Sequence, residues 1–541
     1  MRRAAALALL LAGCGSNPLP PLEPAAREPA AASDWWNGAV VYEVFVRSFQ
    51  DSGNDGKGDI QGLISQLDYL NDGDAGTDTD LGVDAIWLMP IYPSPSTHGY
   101  DVTDYDGVNP DYGTPADLDA LVAACHARGI RVILDWVPNH TSSEHPWFKD
   151  SRSSTGSAHR DWYVWSATSP GWTQPWNGGQ TTWYPGTGGW YYAIFWSGMP
   201  DLNWKNAAVR AEIGAAAGRW IANHGVDGFR LDAVRSLAEN GSGPGQMDQP
   251  ETHAYLRELA AGVRAAKPDA LVLGEAWADT STIASYFGST ATVPSGDEVL
   301  PFDFPLADAI LAGIQGGSAR DIAASLDSVA RTYPAGTGDA PFLTNHDQVR
   351  VATRLGTDPA KLGLAASILL TLQGTPIVYY GEEIGMQNGN CGSDECKRAP
   401  MAWTATPTTG GFTAGTPWWQ LPPGTASANV ASQAAAPSSL LSRYRQLIRV
   451  RKASSALRLG GLSRLPTDDA GVLAYLRADP AETVLVAHNV RADPVTVTVA
   501  LPGTTAADAL LVDSGAALSA AGGDSWSMTL PARKSGIWRL R

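Results

Sequence analysis

From residue 35 onward, short apolar runs alternate with longer stretches in which apolar residues recur every three or four positions. The runs over residues 41–49, 85–89, 131–137, 228–234, 270–277, 302–305, 341–346 and 377–383 have the length and bounding turn residues of strands. Helical patterns lie between several of them. Thr114 and Pro115 supply the N-cap and first helical position of one, with Leu118, Leu121 and Val122 on its apolar stripe and Gly129 as its stop. Another covers residues 206–224 and ends at Gly225. Such alternation belongs to a parallel barrel or to a doubly wound sheet, and eight strands favour the closed (β/α)8 barrel with surplus length in its loops.

Two regions break the pattern. About 65 residues separate the third run from the helix at 206, too many for a plain strand-to-helix loop, and they hold Trp147, Trp162, Trp165, Trp172, Trp176, Trp183, Trp190 and Trp196. A small domain inserted at the rim of the barrel is expected there. After a helix over 439–452, short apolar runs at 471–476, 483–487, 495–500 and 536–540 predict a separate antiparallel β-sandwich. The expected division is a barrel over 34–140 and 200–457, an inserted domain over 141–199 and a β domain over 458–541.

The N-terminus reads differently. Arg2 and Arg3 precede an apolar run over 4–11 that leads to Leu11, Ala12, Gly13 and Cys14. The run is too short to span a bilayer and resembles a bacterial lipoprotein signal over 1–13, in which Cys14 is lipidated and anchors the chain to an envelope membrane. An ordinary secretory signal with an unmodified Cys14 is the alternative. Residues 14–33, rich in Pro and Ala without periodicity, predict an extended tether. Export permits disulfides, and Cys391 and Cys396 flank a short loop that they could close, leaving Cys125 in a helical pattern.

A formal charge of −17 argues against a nucleic-acid partner or an anionic lipid surface. Candidate chemistry collects at the carboxyl ends of the predicted strands, where barrels carry their active sites. Asp135, Asn139 and His140 end the third strand, Arg230 and Asp232 the fourth, Glu275 the fifth, and His346 and Asp347 the seventh. Arg230 and Asp232 lie two residues apart and so share a face, with Phe229 and Leu231 on the other. A guanidinium beside Asp232 lowers its pKa and holds it ionised, as a carboxylate nucleophile requires; taken alone, the segment reads first as a buried ion pair or a helix N-cap. Three carboxylates without a Cys/His cluster suggest one that attacks an acetal carbon, one that donates a proton and one that steadies positive charge.

These four segments, in this order, resemble the conserved regions of the α-amylase family, glycoside hydrolase family 13, and the likeness extends over residues 35–541. The resemblance implies that Asp232 is the nucleophile, Glu275 the general acid/base and Asp347 the transition-state stabiliser. It places Arg230, His140 and His346 on the reacting sugar and Tyr100 as a stacking platform, and adds Asp101 and Arg398, the latter in a matching segment with Ala399, Pro400 and Met401, as further substrate-binding residues. Met199, Pro200, Asp201, Leu202 and Asn203 resemble amylases intermediate between the oligo-1,6-glucosidase and neopullulanase groups. The twenty Trp and seventeen Tyr would then supply faces for sugar rings, although they could also staple long loops. Glu275 is expected to be kept protonated by burial and by the charges of Asp232 and Asp347.

Asp51, Asp55, Lys57 and Asp59 fall in a loop resembling the family's calcium loop, where carboxylates and glycines suit Ca²⁺; the usual asparagine is displaced, with Gly53 in its place. Asn139 resembles a ligand of a second, interdomain calcium. Arg235 and Ser236 replace the Lys-His pair that grips the leaving-group sugar in many amylases, so the acceptor side is weaker or differently organised. Ala233 resembles α-1,4-acting members. Thr97 stands where exo-acting relatives place an aspartate that anchors a chain end, which predicts an open cleft and internal attack on an α-glucan or maltooligosaccharide. A monomer is expected. A glycosyl-transferring relative and a catalytically inactive sugar-binding relative are the rival readings, the second opposed by the presence of all three carboxylates.

Overall fold

The computed structural model describes residues 24–29, 34–288 and 297–541. The signal over 1–13 and Cys14 lie outside the described residues. Seven strands pair in parallel in the spatial order Leu300–Pro301, Leu271–Gly274, Gly228–Leu231, Arg131–Trp136, Ala85–Leu88, Val41–Val44 and Ile377–Tyr379. The eighth position is filled by residues 340–342, because Ala340 bridges Phe302 and Phe342 bridges Ile377, both in parallel. The ring is therefore closed as a (β/α)8 barrel. Most of its strands are buried on both faces, the reason they read as unbroken apolar runs.

Several runs are shorter as strands than the apolar pattern suggested. The first ends at Val44 and gives way to the short helix Val46–Phe49. The run expected as a strand over 302–305 is displaced: the strand ends at Pro301, Phe302 keeps a single bridge to Ala340, and the Asp303 carboxylate accepts from the Leu306 amide at 3.0 Å to cap helix Phe304–Gly316. A side-chain cap followed by a proline outweighs the apolar character of Phe304 and Leu306.

Local signals elsewhere act as read. Thr114 and Asp117 form a reciprocal capping box ahead of helix Pro115–Ala127, and Asn206 caps helix Ala207–His224. That helix ends at Gly225, whose φ of 69° is left-handed. Gly228 begins the fourth strand because a Cβ there would sit 2.1 Å from the Leu271 carbonyl oxygen of the neighbouring strand. This close approach brings the strand carrying Arg230 and the strand leading to Glu275 into register, with Arg230 beside Leu273.

The Trp-rich insertion is a small antiparallel sheet of Trp165–Ser166, Gly189–Tyr192 and Trp183–Gly186 around Trp183, Tyr192 and Ile194. Bridges from His140 to Asp201 and from Tyr163 to Leu202 fasten it to the barrel rim. After helix Leu440–Ala453, capped by Ser439, the chain forms two antiparallel sheets that share a core including Leu485, Val497, Trp526, Met528 and Trp538.

The tether expected over 14–33 is not free along its described part. Ala26–Arg27 adds a strand to the edge of the C-terminal sheet, opposite Leu462 and Ser463. Arg27 reaches the barrel base, where its Nη2 donates to the Thr337 carbonyl at 3.1 Å and its Nη1 pairs with Asp339 at 3.4 Å. An unpaired sheet edge and a buried carboxylate supply the partners that Pro and Ala alone do not reveal.

Candidate active site

The mouth of the barrel is organised around Arg230, which is fully buried. Its Nη1 donates to Asp135 Oδ1 at 2.8 Å and to Asp232 Oδ1 at 2.9 Å. Its Nη2 lies 2.9 Å from Glu275 Oε2, an ion pair without the angle of a hydrogen bond. One guanidinium therefore stands between the two carboxylates that follow the fourth and fifth strands. The backbone turns at Ala233, whose φ is 49°, and this aims its amide at Glu275 Oε2, 3.2 Å away.

A second row faces the first. His346 is buried between carboxylates, with Nδ1 2.6 Å from Glu43 Oε1 and Nε2 3.2 Å from Asp347 Oδ2. Its Nε2 also lies 2.6 Å from the Tyr100 hydroxyl, which in turn donates to Asp135 Oδ2 at 2.9 Å. The Tyr100 and His346 rings are nearly parallel, 16° apart with centroids at 5.4 Å. Arg398 Nη2 donates to Asp347 Oδ1 at 2.7 Å and its Nε to the His346 carbonyl. His140 Nε2 donates to the Tyr100 carbonyl at 3.1 Å, tying the platform to the third strand.

Burial and charge give these groups different proton affinities. Burial pushes Glu275 up to about 7, with Arg230 opposing and Asp232 and Asp347 adding to the rise. Asp232 does not follow the simple expectation from its neighbour: burial raises it to about 6 despite the pull of Arg230. Asp347 goes the other way. Burial opposes its charge, but His346 and Arg398 hold it well below the usual carboxylate range. Burial also disfavours a charge on His346, yet Asp347 and Glu43 outweigh it and push the imidazole up to about 9. His140, buried without such partners, falls to about 3 and is neutral. Near neutrality the site thus holds ionised Asp232 and Asp347 beside a Glu275 that still carries a proton in a large fraction of molecules.

Asp232, Glu275, Asp347, Tyr100, His140, Arg230, His346 and Arg398 are all brought together. Asp101 is not. Its carboxylate is turned into its own loop, accepting from the hydroxyls of Ser94 at 2.6 Å and Ser96. Asp135 stands among the strand-end candidates without an assigned role, and two partners escape the sequence reading: Glu43, a carboxylate inside an apolar strand, and Trp87, whose Nε1 donates to Asp135 at 3.2 Å. A charged residue within a continuous apolar run was the available signal for Glu43.

Beyond Glu275 opens a mainly apolar cleft of about 460 Å³ lined by Trp176, Phe195, Ala233, Arg235, Ser236, Met247 and Trp277. Trp176 and Trp277 are 53% and 46% exposed, and Trp277 is backed on one side by Phe304, stacked at 4.7 Å. Arg235 is locked by Asp248, with Nε 2.8 Å from Oδ1, and by the Trp277 carbonyl. The cleft thus offers aromatic side chains beside a cation, Arg235, that is already paired.

The loop expected to hold calcium is closed by its own donors. Asp51 accepts from the amides of Asn54 at 2.7 Å and Gly56 at 2.8 Å, Asp59 from Ser52 and Gly62, and Asp55 from Lys57. Lys57 Nζ pairs with Asp111 at 2.6 Å, and Asn139 Nδ2 donates to Asp201 at 3.0 Å. Among the described residues no three of His, Cys, Asp and Glu come together as metal ligands. These bonds brace the 51–59 loop, and a carboxylate oxygen that accepts one N–H keeps a second lone pair. Cys391 and Cys396 are joined in a disulfide, and Cys125 is a buried free thiol.

With this geometry, residues 43–460 match the α-amylase catalytic domain and residues 462–537 the maltogenic amylase C-terminal domain. The chain belongs to the α-amylase family of glycoside hydrolases and transglycosylases. It is 39% identical to α-amylase 3 of Dictyoglomus thermophilum over 84% of this chain and 85% of that protein. It is 33% identical to an oligo-1,6-glucosidase of Halalkalibacterium halodurans over 85% of this chain and 91% of that protein. The crystal structure of the α-amylase from H. orenii superimposes with a TM-score of 0.82 at 36% identity, covering 93% of this chain and 100% of that one.

Proposed function

We propose that the protein is an α-amylase that cleaves internal α-1,4-glucosidic bonds of starch and maltodextrins with retention of configuration. The observation that carries this reading is the placement of Asp232 and Glu275 about one guanidinium, the first charged and the second partly protonated near neutrality. Asp232 attacks the anomeric carbon while Glu275 gives its proton to the departing glycosidic oxygen, leaving a glycosyl ester on Asp232. Glu275, now a carboxylate, takes a proton from water, which attacks the ester and frees Asp232. Positive charge at the sugar ring in each step is met by Asp347, whose own charge His346 and Arg398 preserve.

Internal attack is supported by Thr97 in place of a chain-end carboxylate, and by the exposed Trp176 and Trp277 along the leaving-group side. The same apolar cleft favours a second reading, transfer to another sugar, since an acceptor hydroxyl can replace water at the glycosyl ester. Long amylose should lose iodine staining well before much reducing sugar has formed. Glucose as the sole early product, with staining preserved, would make the enzyme an exo-acting α-glucosidase. A disaccharide formed without net gain of reducing ends would assign it to transfer.

The same proposal includes export, anchoring through a lipidated Cys14 and action as a monomer. Its support is the signal-like N-terminus. Replacement Cys14→Ser should move the mature protein out of the membrane fraction, and retention there would refute lipidation.

A further inference from the structure

Asp347 is held through its backbone as well as its carboxylate. Lys397 Nζ donates to the Asp347 carbonyl at 2.9 Å and pairs with Asp394 at 2.8 Å. The carbonyl of Lys397 is pinned in turn, accepting from Arg350 Nε at 2.7 Å and from the Tyr379 hydroxyl at 3.1 Å. The next carbonyl, that of Arg398, accepts from Ser48 Oγ. Lys397 and Arg398 directly follow Cys396, and the Cys391–Cys396 disulfide closes the ring 391–396 just before them.

The ring needs such a closure. Residues 388–393 are Asn, Gly, Asn, Cys, Gly and Ser, a composition with many accessible backbone states and no apolar side chain to pack. Cys396 is buried and Cys391 exposed, so the disulfide ties a solvent-facing turn to a fixed point beside Gly389, whose amide donates to the Cys396 carbonyl at 2.8 Å. Asp394 is exposed and lies inside the disulfide-closed ring, three residues before the Lys397 it pairs with.

We propose that the disulfide-closed ring 391–396 is a positioning device for catalysis, and that Lys397 is the positioning residue through which it sets the direction of Asp347. This rests on the reading of Asp347 as the carboxylate that meets positive charge in the transition state. A group acting by electrostatic preorganisation contributes to turnover more than to ground-state binding, so slackening its support lowers kcat and leaves KM little changed. Cys391 being exposed, a small dithiol can reach it. A reagent thiolate attacks one disulfide sulfur and expels the other cysteine as thiolate; the reagent's second thiol then attacks the reagent sulfur of the mixed disulfide and expels the remaining cysteine, leaving two protein thiols and one cyclic oxidised reagent.

The test is steady-state kinetics on a soluble maltooligosaccharide with the full chain, before reduction by dithiothreitol, after it and after reoxidation, with the thiol state read by alkylation and mass spectrometry. The expected result is a reversible fall in kcat of about tenfold with KM within about twofold, at a temperature where the melting curve shows the protein folded. Lys397→Met should show a similar kcat loss and little further response to reduction, and Lys397→Arg should recover part of it. An unchanged kcat in protein whose Cys391 and Cys396 are both alkylated overturns the proposal, as does a loss that appears only where the protein melts. Asp347→Asn separates the two claims: if it leaves turnover intact, the role of Asp347 fails, and if it abolishes turnover while reduction does nothing, only the ring's role fails.

Discussion

Arg230 holds Asp232 from within the same strand end: the residues are two apart in sequence, and Nη1 meets Oδ1 at 2.9 Å while the same nitrogen meets Asp135 at 2.8 Å. Removing the guanidinium leaves three buried carboxylates without their shared cation. Arg230→Met should therefore cost about 3–5 kcal/mol in denaturant unfolding and more than about a thousandfold in kcat/KM. Arg230→Lys keeps the charge but lacks the fork that spans Asp232 and Glu275, so it should restore stability better than activity. Loss of activity without loss of stability in Arg230→Met would mean the buried charges are balanced elsewhere.

The acid and alkaline limits of activity follow from Asp232 and Glu275. Asp232 must be ionised to attack, and burial sets it at about 6; Glu275 must be protonated, and burial sets it at about 7. Activity should fall below the first value as Asp232 takes up a proton and above the second as Glu275 loses one. The expected kcat/KM profile is a narrow bell between them, its limbs belonging to the interacting pair. A profile flat from pH 5 to 9 would contradict this assignment.

Much of this site could be read from the chain because strand ends are short-range features: an apolar run, then a carboxylate. Asp232, Glu275 and Asp347 were found in that way. Glu43 was not, because its partner His346 is 303 residues away and nothing local marks the pairing. Lys397 likewise gains its meaning only from the fold. The tryptophans of the insertion could be counted but not sorted, since Trp183 is in the core and Trp176 faces the cleft. The run 302–305 reads as a strand because Phe302 and Phe304 are apolar, although Asp303 and Pro305 carry the start signal of helix Phe304–Gly316.

Glu43 and His346 give a stability test with a defined sign. The folded protein raises His346 from 6.5 to about 9, with Glu43 among the causes. Stability from holding this proton is fully present below 6.5 and is lost as pH rises through 9. Glu43→Gln should accordingly lower the melting temperature most at acidic to neutral pH, with the gap to wild type closing towards pH 9. A gap that widens with rising pH would show that His346 is neutral in the folded state.

Calcium can be tested directly at the 51–59 loop. Its carboxylates are already bonded to amides, and Lys57 is engaged by Asp111. If Asp51, Asp55 and Asp59 hold calcium, chelator should lower the melting temperature and added Ca²⁺ should restore it, since an ion bound only to the folded state stabilises it by mass action. An unchanged melting temperature would remove calcium from this loop.

Everything proposed for turnover depends on a glycosyl ester at Asp232, and the anomeric form of the first product reports it. Time-resolved proton NMR of maltooligosaccharide hydrolysis, read before mutarotation, should show the new reducing ends appearing as the α anomer. Two displacements at one carbon, first by Asp232 and then by water, require that outcome. New ends appearing as the β anomer would mean a single displacement by water, and Asp232 would not be the nucleophile.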